Sequence, residues 1–134
     1  DNLMHFTINT LTGAAGRSLA STPSPSSSVI DIASGNTHFE DMISSMKEGL
    51  IVEELLGAGQ GNELGGDFRA NVSLGFKVEN REIVGRVKDT MISGNVYKVL
   101  SQVEHVGDSS DWVFGSMRSP ALQCLGVEVA AKDE

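Results

Sequence analysis

A strict alternation of apolar and polar residues in the middle of the chain is the feature that most constrains the fold. From residue 68 to 78 every second residue is apolar, and the residues between are polar or glycine. This period of two is that of a strand buried on one face. The apolar members are Phe68, Ala70, Val72, Leu74, Phe76 and Val78. With the residues that follow, the pattern predicts a long antiparallel hairpin from Asp67 to Val87.

A glycine-rich run, GAGQGNELGG, precedes this hairpin. It is not a phosphate-binding motif, because no lysine follows the glycines and a strand rather than a helix comes next. Glycine lets a backbone approach another molecule closely, so a contact loop and a plain flexible turn both stay open. The candidate peptide or partner contacts are Gly57, Gly59, Gly61, Gly65, Gly66 and Asp67.

Two amphipathic helices are expected. For the first, Thr37 and Glu40 have the spacing of a capping box, and Gly49 would end the helix. Its apolar stripe consists of Phe39, Met42, Ile43 and Met46. The second would be capped by Asn95 or Ser93 and end at Gly107. Its stripe consists of Val96, Val99, Leu100 and Val103.

Short apolar runs predict further strands, at residues 3–9, 29–32, 50–56, 112–114 and 121–129. Six or seven strands and two helices that do not alternate regularly indicate an α+β fold with mainly antiparallel sheets and one long β-hairpin. We expect residues 1–134 to form a single domain, the C-terminal part of a longer polypeptide, because the chain opens at Asp1 directly in an alternating run. Residues 11–28, rich in serine and proline, are predicted to be a mobile loop.

Composition narrows the possible partners. The formal charge is -8 and the ten basic residues are scattered, which argues against nucleic acid as a direct ligand. No apolar run approaches the ~20 residues of a membrane span. One cysteine, Cys124, excludes an internal disulfide, and its apolar surroundings predict a small buried hydrophobe. These observations favour a cytoplasmic protein that does not act on a membrane.

No catalytic or metal-binding constellation is recognisable in the sequence. The adjacent Glu53 and Glu54 would point to opposite faces of a strand, and Asp108 and Asp111 suggest a turn. The histidines share no ligand spacing, and we expect them at the surface, the last at a helix C-terminus. They are His5, His38 and His105. We therefore assign no catalytic and no metal-ligating residue to the chain.

Several motifs nevertheless carry a family resemblance. They are GLIVEELLG, the GDF strand start after the glycine run, the hairpin GFKVENREI and the helix entry ISGN. Over nearly its whole length the chain resembles the C-terminal domain of the TldD/PmbA family, also called modulators of DNA gyrase. Arg81 departs from the pattern, because the hairpin turn of the family often has glycine there.

The resemblance implies a cytosolic zinc-dependent peptidase system in which two related subunits pair and cut linear or unfolded peptides. In the catalytic type of subunit, zinc is held by an HExxxH helix in the N-terminal half and a cysteine in the C-terminal half. The 134 residues contain no HExxxH, and at the place of the cysteine, residues 107–111, they read GDSSD. The chain therefore resembles the PmbA-like partner, with no cofactor in this fragment and zinc in the catalytic subunit.

Two functions follow as alternatives. In the first, the chain lacks an active site, pairs with a TldD-like subunit or with itself, and binds a linear peptide along a free sheet edge bordered by the glycine run. In the second, it is a stand-alone interaction or scaffold module without a proteolytic role. An HExxxH motif upstream of Asp1 would favour the catalytic lineage.

Overall fold

The computed structural model describes residues 15–26, 29–59, 61–62 and 64–131. The chain divides into two compact units, each described here by itself. Unit 1 comprises Asp1–Ala33 and Asp111–Ser119, and unit 2 comprises Ser34–Ser110 and Pro120–Glu134. The predicted strand at residues 3–9 lies outside the described residues.

The described residues form ten strands and two helices, which confirms the α+β class. In chain order these are β1 (Ala15–Gly16), β2 (Ser24–Pro25), β3 (Ile30–Asp31), α1 (Phe39–Ser45), β4 (Glu48–Leu56), β5 (Asp67–Glu79), β6 (Glu82–Arg86), β7 (Thr90–Asn95), α2 (Val96–Ser101), β8 (Val103–Val113), β9 (Met117–Cys124) and β10 (Glu128–Ala131). The predicted hairpin is confirmed as β5 and β6.

Unit 1 contains two small strand pairings. Strands β1 and β2 pair antiparallel within the predicted 11–28 loop. Strand β3 pairs in parallel with the start of β9, Ile30 with Met117 and Asp31 with Arg118. At the turn between β8 and β9, Phe114 and Gly115 both have positive φ, and the Phe114 side chain is 96% exposed.

Unit 2 is built on a five-stranded antiparallel sheet in the order β10-β7-β5-β4, with β6 also pairing with β5. The apolar positions of β5 face the core, where Ala70 and Val72 pack with Ile92 of β7. Val78 is fully buried further along the same strand, and Met42 of α1 is 3% exposed. The period of two therefore identified the buried face of the longest strand.

The predicted capping box of α1 is wrong. The residue before the helix is His38, and it makes no side-chain capping hydrogen bond. Thr37 is instead held as extended backbone: its N–H donates to the Val106 carbonyl, and its own carbonyl accepts from the Asp108 N–H. Long-range backbone pairing therefore overrides the local capping signal.

The predicted end of α1 at Gly49 is also wrong. The helix ends at Ser45, and Met46 already has extended backbone angles. Gly49 lies within β4, where it pairs with Val78 of β5. Pairing with the long strand draws these residues out of the helix.

The Asn95 cap of α2 is confirmed, because its side-chain oxygen accepts from the Tyr97 and Lys98 N–H groups. The helix ends at Ser101, however, not at Gly107, since β8 begins at Val103. His105 therefore lies in a strand rather than at a helix C-terminus.

The turn predicted around Asp108 and Asp111 is likewise wrong, because both residues lie inside β8. Strand pairing outweighs the turn preference of aspartate and serine here. The strand predicted at residues 121–129 is divided into β9 and β10, and Gly126 between them has a φ of 78°.

Candidate peptide-binding face

The glycine-rich run joins β4 to β5 at a point where the sheet loses a strand. Strand β4 pairs with β5 only as far as Leu56, which is opposite Asn71. Beyond this point, residues 68–70 of β5 pair with β7 on one side and with no described strand on the other. We call the side left by β4 at residues 68–70 the free edge, because no described strand pairs with it. Gly61 and Asn62 of the glycine-rich run lie against Asp67 at the start of this edge.

The end of this run is held in place by Asn95. Its amide nitrogen donates to the Gly65 carbonyl and to the Asp67 carboxylate, both at 2.8 Å. Its oxygen caps α2 at the same time. The Val96 N–H then donates to the Gly66 carbonyl at 2.8 Å. One asparagine therefore fixes the loop exit, the start of β5 and the start of α2 together.

Gly66 is required at this position for two reasons. Its φ is 78°, in the left-handed region that favours glycine. A Cβ atom at Gly66 would also lie against the ring of Tyr97, 2.5 Å from its nearest atom. The loop can therefore enter β5 this close to α2 only without a side chain.

Polar and charged side chains cover the face of the sheet opposite the core, which we call the polar face. Residues directly opposite in antiparallel strands share a face, so the register gives its layout. Asp67 lies opposite Asn95, and Arg69 lies opposite Ser93, which in turn lies opposite Glu128 of β10. The next row runs across four strands and consists of Leu56, Asn71, Met91 and Ala130.

Two open depressions adjoin on this part of the sheet. The first depression has a volume of about 330 Å³ and is lined by Leu56, Gly57, Arg69, Ala70, Asn71 and Met91. The second depression, of about 490 Å³, is lined in part by Gly61, Asp67, Arg69, Ser93, Lys98 and Glu128. Arg69 lines both. Together they form a shallow groove along this part of the sheet.

The six residues predicted as contacts take different places around this groove. Gly57 lines the first depression, and Gly61 and Asp67 line the second. Gly65 and Gly66 lie behind them in the Asn95 network. Gly59 is exposed in the loop and lines neither depression.

Sequence reasoning missed several lining residues. They are Arg69, Ser93, Lys98 and Glu128. The alternation in β5 already placed Arg69 on the solvent side, two residues from Asp67, and this signal could have identified it. The other three depend on which strands neighbour β5, which the sequence alone does not give.

The outer edge of β4 offers a second strand edge without a partner among the described residues. Its register with β5 is interrupted at Glu53 and Glu54. Bulges and charged side chains are the usual means by which an exposed edge discourages further pairing. Compared with the outer edge of β4, the edge at residues 68–70 is therefore the better place for an added strand.

A zinc site like that of the catalytic type of subunit is not formed by the described residues of this chain. Across residues 15–26, 29–59, 61–62 and 64–131, no three His, Cys, Asp or Glu side chains converge in a way that could hold a metal ion. His38 pairs with Asp108 alone, at 2.5 Å. Cys124 is half-buried rather than buried as expected, and desolvation raises the pKa of its thiol.

Comparison with known proteins shows the class of protein to which this chain is similar. Residues 7–131 match the PmbA/TldA metallopeptidase C-terminal domain. The chain is 33% identical over 99 residues to the metalloprotease PmbA of Escherichia coli O157:H7, covering 71% of this chain and 22% of that protein. It is 26% identical over 108 residues to the metalloprotease TldD homolog of Haemophilus influenzae, covering 81% of this chain and 22% of that protein.

A solved structure of a related protein agrees with this sequence similarity. The TldE protein of Thermococcus kodakarensis superposes with a TM-score of 0.75 at 26% identity, covering 90% of this chain and 28% of that one. The chain therefore belongs to the PmbA/TldA metallopeptidase C-terminal domain family. It spans less than a quarter of the length of the two relatives named above. No helix in the described part of the chain is long and apolar enough to cross a membrane.

Proposed function

We propose that this chain is the non-catalytic C-terminal domain of a PmbA-like subunit in a cytoplasmic metallopeptidase system. In this role it holds a linear or unfolded peptide in an extended form and pairs with a TldD-like subunit or with a second copy. The groove on the polar face of the sheet is the observation that carries the peptide-binding part. Family membership supports the link to proteolysis.

The free edge at residues 68–70 explains how peptides of different sequence would be accepted. An added strand is bound mainly through main-chain hydrogen bonds, which make little demand on side chains. Gly57 and Gly61 line the two depressions and present no side chain that would block the approach. The Asn95 network supports the role by holding the start of β5 in place before a peptide arrives.

Subunit pairing is supported by apolar side chains that the chain leaves in solvent. In unit 1, Trp112 near the end of β8 is 62% exposed, and Phe114 in the turn that follows is 96% exposed. Large aromatic side chains are typical anchors of protein interfaces. The stand-alone scaffold alternative would use the same side chains, so proteolysis is what separates the two functions.

The test measures cleavage and binding of an unstructured peptide by the full-length protein, with and without a TldD-like subunit. We expect binding by the protein alone, and cleavage only in the mixture, abolished by a metal chelator. Replacing Asn71, which is exposed in the first depression, by tryptophan should fill the groove and weaken peptide binding at least about tenfold. Lys77→Trp is the matched control, because Lys77 is exposed on the same face of β5 outside both depressions.

Two results would contradict the proposal. Chelator-sensitive cleavage by the full-length protein alone would refute the non-catalytic role. Equal peptide affinity of the Asn71→Trp, Lys77→Trp and unmodified proteins would refute the groove as the binding site. Circular dichroism of the three proteins checks that each variant keeps its fold.

A further inference from the structure

The groove has two cations, Arg69 and Lys98, whose side chains have no partner in the described part of the chain. Arg69 is exposed and lines both depressions, and its guanidinium makes no hydrogen bond or ion pair to any described residue. The other cation of β5, Lys77, is paired with Glu79 at 2.5 Å. A guanidinium presents five N–H donors in a fixed plane. Those of Arg69 are therefore available to a ligand.

Two acidic side chains among the described residues, Asp67 and Glu128, lie near Arg69, and both line the second depression. Asp67 accepts a hydrogen bond from the Asn95 amide at 2.8 Å, and Glu128 accepts one from the Ser93 hydroxyl at 3.4 Å. In the second depression their two negative charges are matched by Lys98 and Arg69. In the first depression, Arg69 is the one charged residue among the described lining residues. A chain of net charge -8 thus has a locally cationic depression.

The other walls of the first depression are partly apolar. Leu56 is 58% exposed, and Met91 lies in the same row across the sheet, on the far side of Asn71. An apolar surface next to a guanidinium matches a ligand with an apolar side chain next to a carboxylate. Arginine binds carboxylates through two parallel hydrogen bonds, which fixes the orientation of the ligand as well as its position.

We propose that Arg69 binds a carboxylate of the peptide in the first depression, while an adjacent apolar side chain of the peptide packs on Leu56 and Met91. The proposal rests on the peptide-binding function proposed above. The carboxylate can be the C-terminus of the peptide or the side chain of an aspartate or glutamate. In either case Arg69 sets which part of a peptide enters the groove, while the free edge at residues 68–70 holds its main chain.

The experiment compares three decapeptides, labelled with fluorescein at the N-terminus, by fluorescence anisotropy with the full-length protein. The first ends in leucine with a free carboxylate, the second has the same sequence with a C-terminal amide, and the third is the amide with one glutamate before the leucine. We expect the free acid to bind at least about tenfold more tightly than the amide, since a hydrogen-bonded charge pair is lost. If the glutamate peptide regains this affinity, a side-chain carboxylate also serves.

Arg69→Gln should reduce the affinity for the free acid to that for the amide, whereas the control Lys77→Gln should leave it unchanged. The inference is overturned if the unmodified protein binds all three peptides equally, or if Arg69→Gln still prefers the acid. Either result would leave the proposed peptide-binding function intact, because the peptides still bind. If none of the peptides binds, the peptide-binding function fails, and the inference fails with it. Arg69 is exposed, so its substitution leaves the core intact, which thermal unfolding verifies.

Discussion

At its amino-terminal end β5 pairs with β7 alone, whereas at its carboxyl-terminal end it lies between β4 and β6. Both ends carry the same alternation of apolar and polar residues. At the closed end Val78 is fully buried and the exposed cation, Lys77, is paired with Glu79, which raises the pKa of the lysine. At the open end the polar face holds two depressions and Arg69 has no described partner.

One strand thus provides stability at one end and a binding surface at the other. Where β5 has neighbours on both sides, its backbone and side chains are committed to the fold. Where β4 gives way to the glycine-rich run, part of β5 stays open to solvent. The comparison predicts that substitutions at the closed end change stability, that those in the groove at the open end change peptide binding, and that Asn95 contributes to both.

The largest effect is expected at the closed end. Val78→Ala removes methyl groups from a side chain with no solvent exposure and should lower the free energy of unfolding by about 2–3 kcal/mol. Ile83→Ala is the control, because Ile83 lies opposite Val78 in β6 and is 49% exposed. It should cost less than about 1 kcal/mol, since little burial is lost. Urea unfolding measures both, and equal costs would show that the burial of Val78 is not what stabilises the closed end.

A smaller effect, with a binding component, is expected at the open end. Asn95→Ala removes the cap of α2 and the hydrogen bonds to Gly65 and Asp67, and should cost about 1–2 kcal/mol. Asn95→Ser keeps an acceptor for the cap and loses the amide donor. We expect the serine variant to regain part of the stability while peptide binding stays weakened, because the loop exit is no longer held.

Urea unfolding and peptide anisotropy on the same two variants separate these contributions. If the serine variant binds peptide as tightly as the unmodified protein, the amide donor does not organise the groove. If neither variant loses stability, the network is not a structural element at all.

The sequence predicted those features that depend on neighbouring residues. The alternation in β5, the hairpin and the Asn95 cap are all local patterns, and the structure confirms each of them. Thr37 carried an equally good local signal, but its backbone pairs with residues about 70 positions away and the cap is lost. The position of Arg69 in the groove could not be predicted either, because it also depends on long-range pairing. It depends on where β4 ends and on which strand lies opposite, and both are set by long-range pairing.

The smallest effect is expected at the turn that closes the hairpin, where a substitution should raise rather than lower the stability of the protein. Asn80 and Arg81 both have positive φ, 50° and 73°, as in the two-residue turns that favour Asn-Gly. A left-handed conformation costs a residue with a Cβ about 1–2 kcal/mol. Glycine avoids this cost, but its greater entropy in the unfolded state offsets part of the gain. Arg81→Gly should therefore raise the free energy of unfolding by about 1 kcal/mol. Arg81→Ala removes the same charge but keeps the Cβ, and should give no such gain.

Thermal unfolding compares the three proteins, and an equal midpoint for the glycine and alanine variants would mean that backbone strain is not the cause. Peptide binding should be the same in both variants, because this turn lies at the closed end of β5.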